Sequence, residues 1–428
     1  MPSMWKNMFS SALWTAVTVY ACRFPSLNFR RVMNAIDRVI KGFETKLEET
    51  KRHPYISADT LNSMRIFKVK YYTYAAFLAA LSSYPILGSV ATEEHIYASI
   101  FAKTAMVASI KLLDNINDSF QSFNEAVESQ VRYQRALATG ILPSEAEEDL
   151  GWVSRAENTA HLIASWAHGL IASACSKSKM FNLFLDDLYE YIDGQIASFC
   201  QRRDRYSVDT MSLNDFLHKV SSKCFGKIWV DIDFCFLEKS VEELDANEEE
   251  AALLVNRSLD LIFKSLLFYD DVTDFDEDVK NHIINSTMIL GIDLGKISAE
   301  ELFGDKDVLH TKLESKGVFN DAFALGNILY LKGVECLVEA KKYTRLMDID
   351  ALIFCARVLR LFLLRKTFLN GNGLDLRMII RSLEPLAKLK ASIPEYLKAY
   401  ELAEELGAKA RGIKALKQAD NKRALLVS

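Results

Sequence analysis

The sequence predicts an all-α protein, on three observations. Only seven of the 428 residues are proline, none between Pro143 and Pro385, and glycine is sparse in that stretch. These two residues are the main interrupters of helices, so long, lightly punctuated helices are expected. Apolar residues recur at helical spacing, as in Ile96, Ile100, Val107, Ile110, Leu113, Ile116 and Phe120. Short β-branched runs in the rhythm of a parallel sheet are not found. With half its residues apolar, the chain can bury a large core, as one large helical domain or as two or three.

Residues 1–52 read as helices ending in the charged run "KGFETKLEETKR" before His53-Pro54. Their apolar stretch 8–22 follows Lys6 and is mixed with Ser and Thr, and it falls short of the roughly 20 residues of a spanning helix. An amphipathic helix packed on the body is expected, with a signal peptide or peripheral membrane contact as alternatives. "SADTLNSM" offers a cap for a helix over 62–81 that stops short of Tyr84-Pro85. One helix over 93–138 follows, broken by "TGILPSEAEEDLG", and further helices are predicted over 152–175, 180–201, 212–237, 248–280 and 282–292. The acidic run 242–250 reads as a solvated turn, and "GIDLGKISAEELFGDKD" as a loop with one helical turn. Three or four helices complete the chain before a frayed terminus. The organisation expected is N-terminal helices over 1–58, a core over 59–295 and C-terminal helices over 296–428.

A net charge of −5 and a pI near 5.9 supply no general attraction for nucleic acid. An anionic ligand would need a local basic site. The seven cysteines are scattered, odd in number and lack a C-x-x-C pair. That pattern implies free thiols in a reduced, cytoplasmic setting and no structural zinc.

The chemistry concentrates in a few helical stretches. In "FYDDVTDFDED" the residues Asp270, Asp274 and Asp278 lie four apart, with Asp271 between them, directly after the apolar run "LIFKSLLF". Residues at this spacing form one ridge of a helix. Like charges there destabilise it, so a counter-cation is expected. Oxygen donors along two turns suit Mg²⁺, which keeps some waters and shares its shell with phosphate. A second pair, Asp114 and Asp118 in "SIKLLDNINDSF", shares a face by the same geometry, whereas Asp186, Asp187 and Glu190 in "DDLYEYID" read as a solvated decoy. Lys219, Lys223 and Lys227 in "FLHKVSSKCFGKIWV" also lie four apart, with Gly226 permitting a break. Three aligned lysines on an aromatic-rich helix imply an anion. Two carboxylate ridges and one lysine ridge would suit Mg²⁺ clamping a diphosphate.

The ordered set "DNIND", "YIDGQIASF", "VSSKCFGK" and "FYDDVTDFDED" resembles the class I isoprenoid synthases, that is, trans-prenyl diphosphate synthases and terpene cyclases, over residues 60–295. Those enzymes carry a first aspartate-rich motif, a Gly-Gln pair, a Lys-Thr pair and a second aspartate-rich motif in that order. The resemblance implies a helical bundle with a central cavity and extra terminal helices, three Mg²⁺ ions, a prenyl diphosphate substrate and a homodimer. It makes Asp114, Asp118, Asp270, Asp274 and Asp278 metal ligands and Lys223 a diphosphate contact, with Cys224 in place of the Thr and Gln195 in the cavity wall. Arg132, Arg135 or Lys342 beside Tyr343 would close over the diphosphate. Candidate aromatic lining residues, for a pocket that keeps water from a carbocation, are Phe101, Phe120, Phe225, Trp229 and Phe268.

Departures from the pattern select the reaction. Neither a Gly-Gly-Lys-x-x-Arg stretch nor an Arg-Arg pair after "DNIND" is present, and Leu267 stands where chain-elongating enzymes often have Gln. One-substrate ionisation and cyclisation is therefore expected. The alternative is prenyl transfer, by polyprenyl diphosphate synthesis or by squalene- or phytoene-synthase-like condensation, although the Tyr and Gly-rich stretch of the latter is missing. A catalytically silent helical subunit is a third reading, disfavoured by two intact acidic motifs.

Overall fold

The computed structural model describes residues 20–117, 120, 122–142, 151–175, 178–204, 207, 211–370 and 386–398. Sixteen α-helices and no strand occur among these residues. In order they are α1 (Phe29–Leu47), α2 (Ala58–Ser63), α3 (Val69–Leu87), α4 (Glu93–Asn117), α5 (Phe123–Thr139), α6 (Trp152–Cys175), α7 (Lys179–Ser198) and α8 (Leu213–His218). They continue as α9 (Gly226–Val241), α10 (Ala246–Thr273), α11 (Phe275–Lys280), α12 (Ser286–Asp293), α13 (Lys306–Ser315), α14 (Val318–Ala340), α15 (Ile349–Asn370) and α16 (Leu386–Ala391). The fold is all-α, as the sparse prolines and glycines predict. The apolar stretch 8–22 lies almost wholly outside the described residues.

The chain divides into two compact units. The first comprises Met1–Ile192, Lys227–Leu259 and Cys336–Leu359, and the second Asp193–Gly226, Asp260–Glu335 and Arg360–Ser428.

The first unit is built around α4, which packs against α3 and α6 and also meets α1. Small residues such as Ala102, Ala105 and Ala108 on α4 are fully buried, which lets neighbouring backbones approach closely. Phe101 enters this core, 5.8 Å from the Phe43 ring, and Phe43 stacks edge-on with Trp166 at 5.9 Å. By length and composition α4 is apolar enough to cross a membrane, yet 83% of that stretch is buried against the rest of the chain, as in a core helix. Lys103 also lies in this core, wholly buried. Its ammonium pairs with Asp233, donates to Ser82 and Ser83 at 3.0 and 3.1 Å, and sits 4.9 Å over the Trp229 ring. Burial lowers its pKa, and the Asp233 carboxylate opposes that shift.

The second unit holds the end of α10 in an aromatic setting. Phe268 meets Phe216 edge-on at 5.7 Å, and Tyr269 lies 4.7 Å from Phe323. The Tyr269 hydroxyl donates to Asn327, which also accepts from Arg360. Asp321 accepts hydrogen bonds from Lys296 and Tyr396, which ties the segment after α16 to α14.

Several predicted helices are divided. The helix expected over 62–81 is two, and α3 runs through Pro85 to Leu87. The helix over 93–138 ends at Asn117 and restarts after Ser122, whose hydroxyl accepts from Glu125 N at 3.2 Å. The span 212–237 breaks into α8, a 3₁₀ turn over Val220–Lys223, and α9. Ser212 and Asp215 form a reciprocal capping box at the start of α8, and Lys219, at φ −115°, joins its end to the 3₁₀ turn.

Candidate active site

In the second unit the acidic stretch sits at a helix junction. Thr273, which ends α10, turns its hydroxyl back to Tyr269 O at 2.8 Å, a contact that bends helices. Asp274 follows at φ −99°, ψ 11°, and α11 starts after it. The ridge expected through Asp270, Asp274 and Asp278 is thus kinked at its middle residue. The i→i−4 bonds Asp274 N to Asp270 O, 2.8 Å, and Asp278 N to Asp274 O, 2.9 Å, nevertheless persist.

After α11 the chain reverses through His282, at φ 59°, to Asn285, which caps α12. The Asn285 side-chain oxygen accepts from Thr287 N and Met288 N at 3.1 and 3.3 Å. Its amide nitrogen donates to Asp278 Oδ2 and to Asp271 O, both at 2.9 Å. Ser286 N donates to Asp271 Oδ2 at 2.9 Å, so this carboxylate lies at the positive end of α12, where negative charge is stabilised. Burial nevertheless raises the pKa of Asp271, against the pull of Lys223. Asp278 is pushed up to about 7, first by burial and then by the Asp271 charge, with Asn285 and Lys223 opposing.

Lys223 closes this arrangement. It ends the 3₁₀ turn and donates to Gln201 Oε1 at 3.0 Å. Gly194 makes room for the turn. A Cβ there would lie 2.3 Å from Lys223 N and 2.4 Å from Ser222 C, a contact only glycine avoids. Gln195, the glutamine of the Gly-Gln pair, is buried beside it. Cys224 is half-buried; desolvation pushes its thiol up to about 12, and it donates to Phe263 O at 3.6 Å. Phe225 meets Phe263 edge-on at 5.0 Å.

The donor set fits Mg²⁺. Hard carboxylate oxygens are gathered with enough mutual repulsion and desolvation to drive Asp278 toward protonation, and a divalent ion would reverse that. Among the described residues no three His, Cys, Asp or Glu side chains converge as an all-protein cage. Mg²⁺ needs none, being held by one or two carboxylates together with substrate phosphates.

The lysines do not form one ridge, because Lys219 lies between α8 and the 3₁₀ turn, Lys223 ends that turn and Lys227 is on α9. Lys219 pairs with Asp215 on the surface at 2.8 Å. Lys227 lies in the first unit, bonded to Asp187 at 3.0 Å and Glu190 at 2.7 Å. This corrects the reading of "DDLYEYID" as a solvated face. Asp187 is buried, and Asn256 bridges it to the fully buried Asp231 through bonds of 2.8 and 2.7 Å. Burial first, and then the Asp187 charge, raise the pKa of Asp231.

Asp114 lies in the last turn of α4, partly exposed, with Lys111 3.3 Å away. A carboxylate at the negative end of a helix is disfavoured without a cation. Asp118 lies outside the described residues. Arg132 is engaged by Glu157 at 2.8 Å, whereas Arg135 is exposed. Lys342 pairs with Glu339 on the surface and Tyr343 is exposed. Trp229 is buried and donates to Ser82 at 3.0 Å, and Phe120 is half-buried.

Three residues with evident roles escaped the sequence reading: Gly194, Gln201 and Asn285. Asn285 had a signal, as an Asn directly before a helix start. Gly194 was visible only as the partner of Gln195, and Gln201 carried no signal.

No family model and no curated protein matches the chain. Among solved structures it is similar to a cucumene synthase, at 12% identity and a TM-score of 0.43, over 78% of this chain and 94% of that one. It is similar also to linalool/nerolidol synthase from Streptomyces clavuligerus in complex with 2-fluorogeranyl diphosphate, at 12% identity and a TM-score of 0.40, over 78% of this chain and 96% of that one. At this identity and quality of superposition, neither match assigns an activity.

Proposed function

We propose that the chain is a Mg²⁺-dependent terpene synthase-like enzyme that ionises an allylic prenyl diphosphate and cyclises or rearranges the resulting carbocation. The observation that supports this reading is the second-unit cluster, where one Asn285 amide joins the backbone of buried Asp271 to the carboxylate of half-buried Asp278, and both carboxyls feel the Lys223 charge. Such a cluster suits a strongly anionic ligand that arrives with its own divalent cations.

In this reading Asp114, Asp118, Asp270, Asp274 and Asp278 hold Mg²⁺, and Lys223 donates to the diphosphate oxygens. Mg²⁺, when bound, neutralises the diphosphate and makes it a better leaving group. Lys223 adds a fixed donor where charge develops as the C–O bond breaks. In this reading the buried Phe268 and Phe216 rings, 5.7 Å apart in the same unit, would help keep water from the carboxylate turn. Desolvation strengthens each electrostatic contact there.

Incubating the purified protein with C10 to C25 allylic diphosphates and Mg²⁺, with and without isopentenyl diphosphate, tests the reading. Hydrocarbon or alcohol from a single substrate supports it. A longer diphosphate formed only with isopentenyl diphosphate replaces it with prenyl transfer, and no turnover with any substrate overturns both. Asp270→Ala and Asp114→Ala should each reduce turnover by at least about a hundredfold while leaving the urea midpoint unchanged. A residue whose removal leaves turnover intact does not belong to the chemistry.

A further inference from the structure

Gln201 is 4% exposed and uses both ends of its amide. Its oxygen accepts from Lys223 Nζ at 3.0 Å, and its nitrogen donates to Ile284 O at 2.9 Å. The orientation is forced, because an ammonium only donates and a carbonyl only accepts. The backbone repeats the link: Ile284 N donates to Gln201 O at 2.7 Å, Arg203 N to His282 O at 2.6 Å, and Arg202 and Ile283 form a single antiparallel bridge. The segment so gripped runs directly into Asn285 and Ser286, which bond Asp271 and Asp278.

We propose that Gln201 is a positioning residue that sets the Lys223 ammonium and the Asp271/Asp278 turn in register for a diphosphate carrying Mg²⁺. The inference rests on the function proposed above and extends it to a residue outside every aspartate-rich or lysine motif. A lysine has a flexible four-carbon stem and three freely rotating donors. The buried amide restricts it to one place, and the same amide anchors the loop that orients the carboxylates. Partners of this kind, one step removed from the ligand, typically change affinity by about 10- to 100-fold.

The test uses inorganic pyrophosphate with Mg²⁺ as the probe, its affinity measured by calorimetry on the full chain, beside the thermal midpoint of the free protein. Gln201→Met keeps the volume and loses both hydrogen bonds. Its Kd for pyrophosphate should rise about tenfold or more in protein that still unfolds cooperatively. Gln201→Glu keeps an acceptor for Lys223 but holds the ammonium as an ion pair, so its Kd should rise by a similar factor, and it carries the test if the methionine protein does not fold. A merely structural role would lower the thermal midpoint and leave the Kd of the folded protein unmoved. Wild-type affinity in the folded variants overturns the inference alone. Wild-type protein that binds no pyrophosphate with Mg²⁺ overturns the proposed function, and the inference with it.

Discussion

Gly194 shows how much one missing side chain does here. The backbone of Ser222 and Lys223 occupies the space where its Cβ would be, so Gly194→Ala must push α7 and the 3₁₀ turn apart. Overpacking of this kind costs about 1–3 kcal/mol. The urea midpoint should fall accordingly, and pyrophosphate affinity should fall with it because the displaced residue is Lys223. A midpoint equal to wild type would show that the turn relaxes freely. The acidic stretch with Asp270, Asp271 and Asp278 stood out in the sequence because charge following an apolar run is conspicuous in a linear reading, and Lys223 stood out by its spacing from Lys219 and Lys227. Gln201 was not, since a lone glutamine at the end of a helix carries no pattern, and its partners Lys223 and Ile284 lie 22 and 83 residues away.

Helices were legible as a class and misread at their ends, for a physical reason visible at α3. Proline was expected to stop that helix before Tyr84, yet it continues through Pro85 to Leu87. Pro85 lacks the N–H that a helix aims at the carbonyl four residues earlier, here Leu81 O, and the buried Cys355 thiol donates to that oxygen at 2.8 Å. A contact across 274 residues thus replaces a local bond. Cys355→Ala should cost about 1–3 kcal/mol, the penalty of a buried carbonyl left without a donor. The same change in a Pro85→Ala background, where the N–H returns, should cost less. Equal losses in the two backgrounds, read as a double-mutant cycle from urea unfolding, would sever the link. The lysine ridge failed for the complementary reason. Spacing of four implies a shared face only while the helix is unbroken, and the Ser212–Asp215 capping box and Gly226 delimit separate short elements.

At the scale of the whole molecule, global stability is set partly by polar groups that the proposed chemistry does not use. His161 is fully buried in the first unit, with no well-formed hydrogen bond to either ring nitrogen. Its pKa is lowered to about 3, first by burial and then by the Arg132 charge, and Glu157 stands 3.7 Å away. The unfolded chain therefore takes up a proton at this imidazole near pH 6.5 while the folded chain does not. In that window the unfolded state binds more protons, so stability falls as pH falls from about 6.5 toward about 3. At pH 5 the loss from this one group is about 2 kcal/mol. Asp231 acts in the opposite sense: its raised pKa makes the folded state bind more protons above the usual carboxylate range, so its contribution weakens as pH rises toward that raised value. The two are separated by substitution. The drop in urea unfolding free energy between pH 7 and pH 5 should shrink by about 2 kcal/mol in His161→Leu relative to wild type, the Asp231 contribution cancelling in the comparison. An identical drop in both proteins would mean that His161 takes up its proton equally in the folded and unfolded chains, and that water or the neighbouring Glu157 compensates its burial.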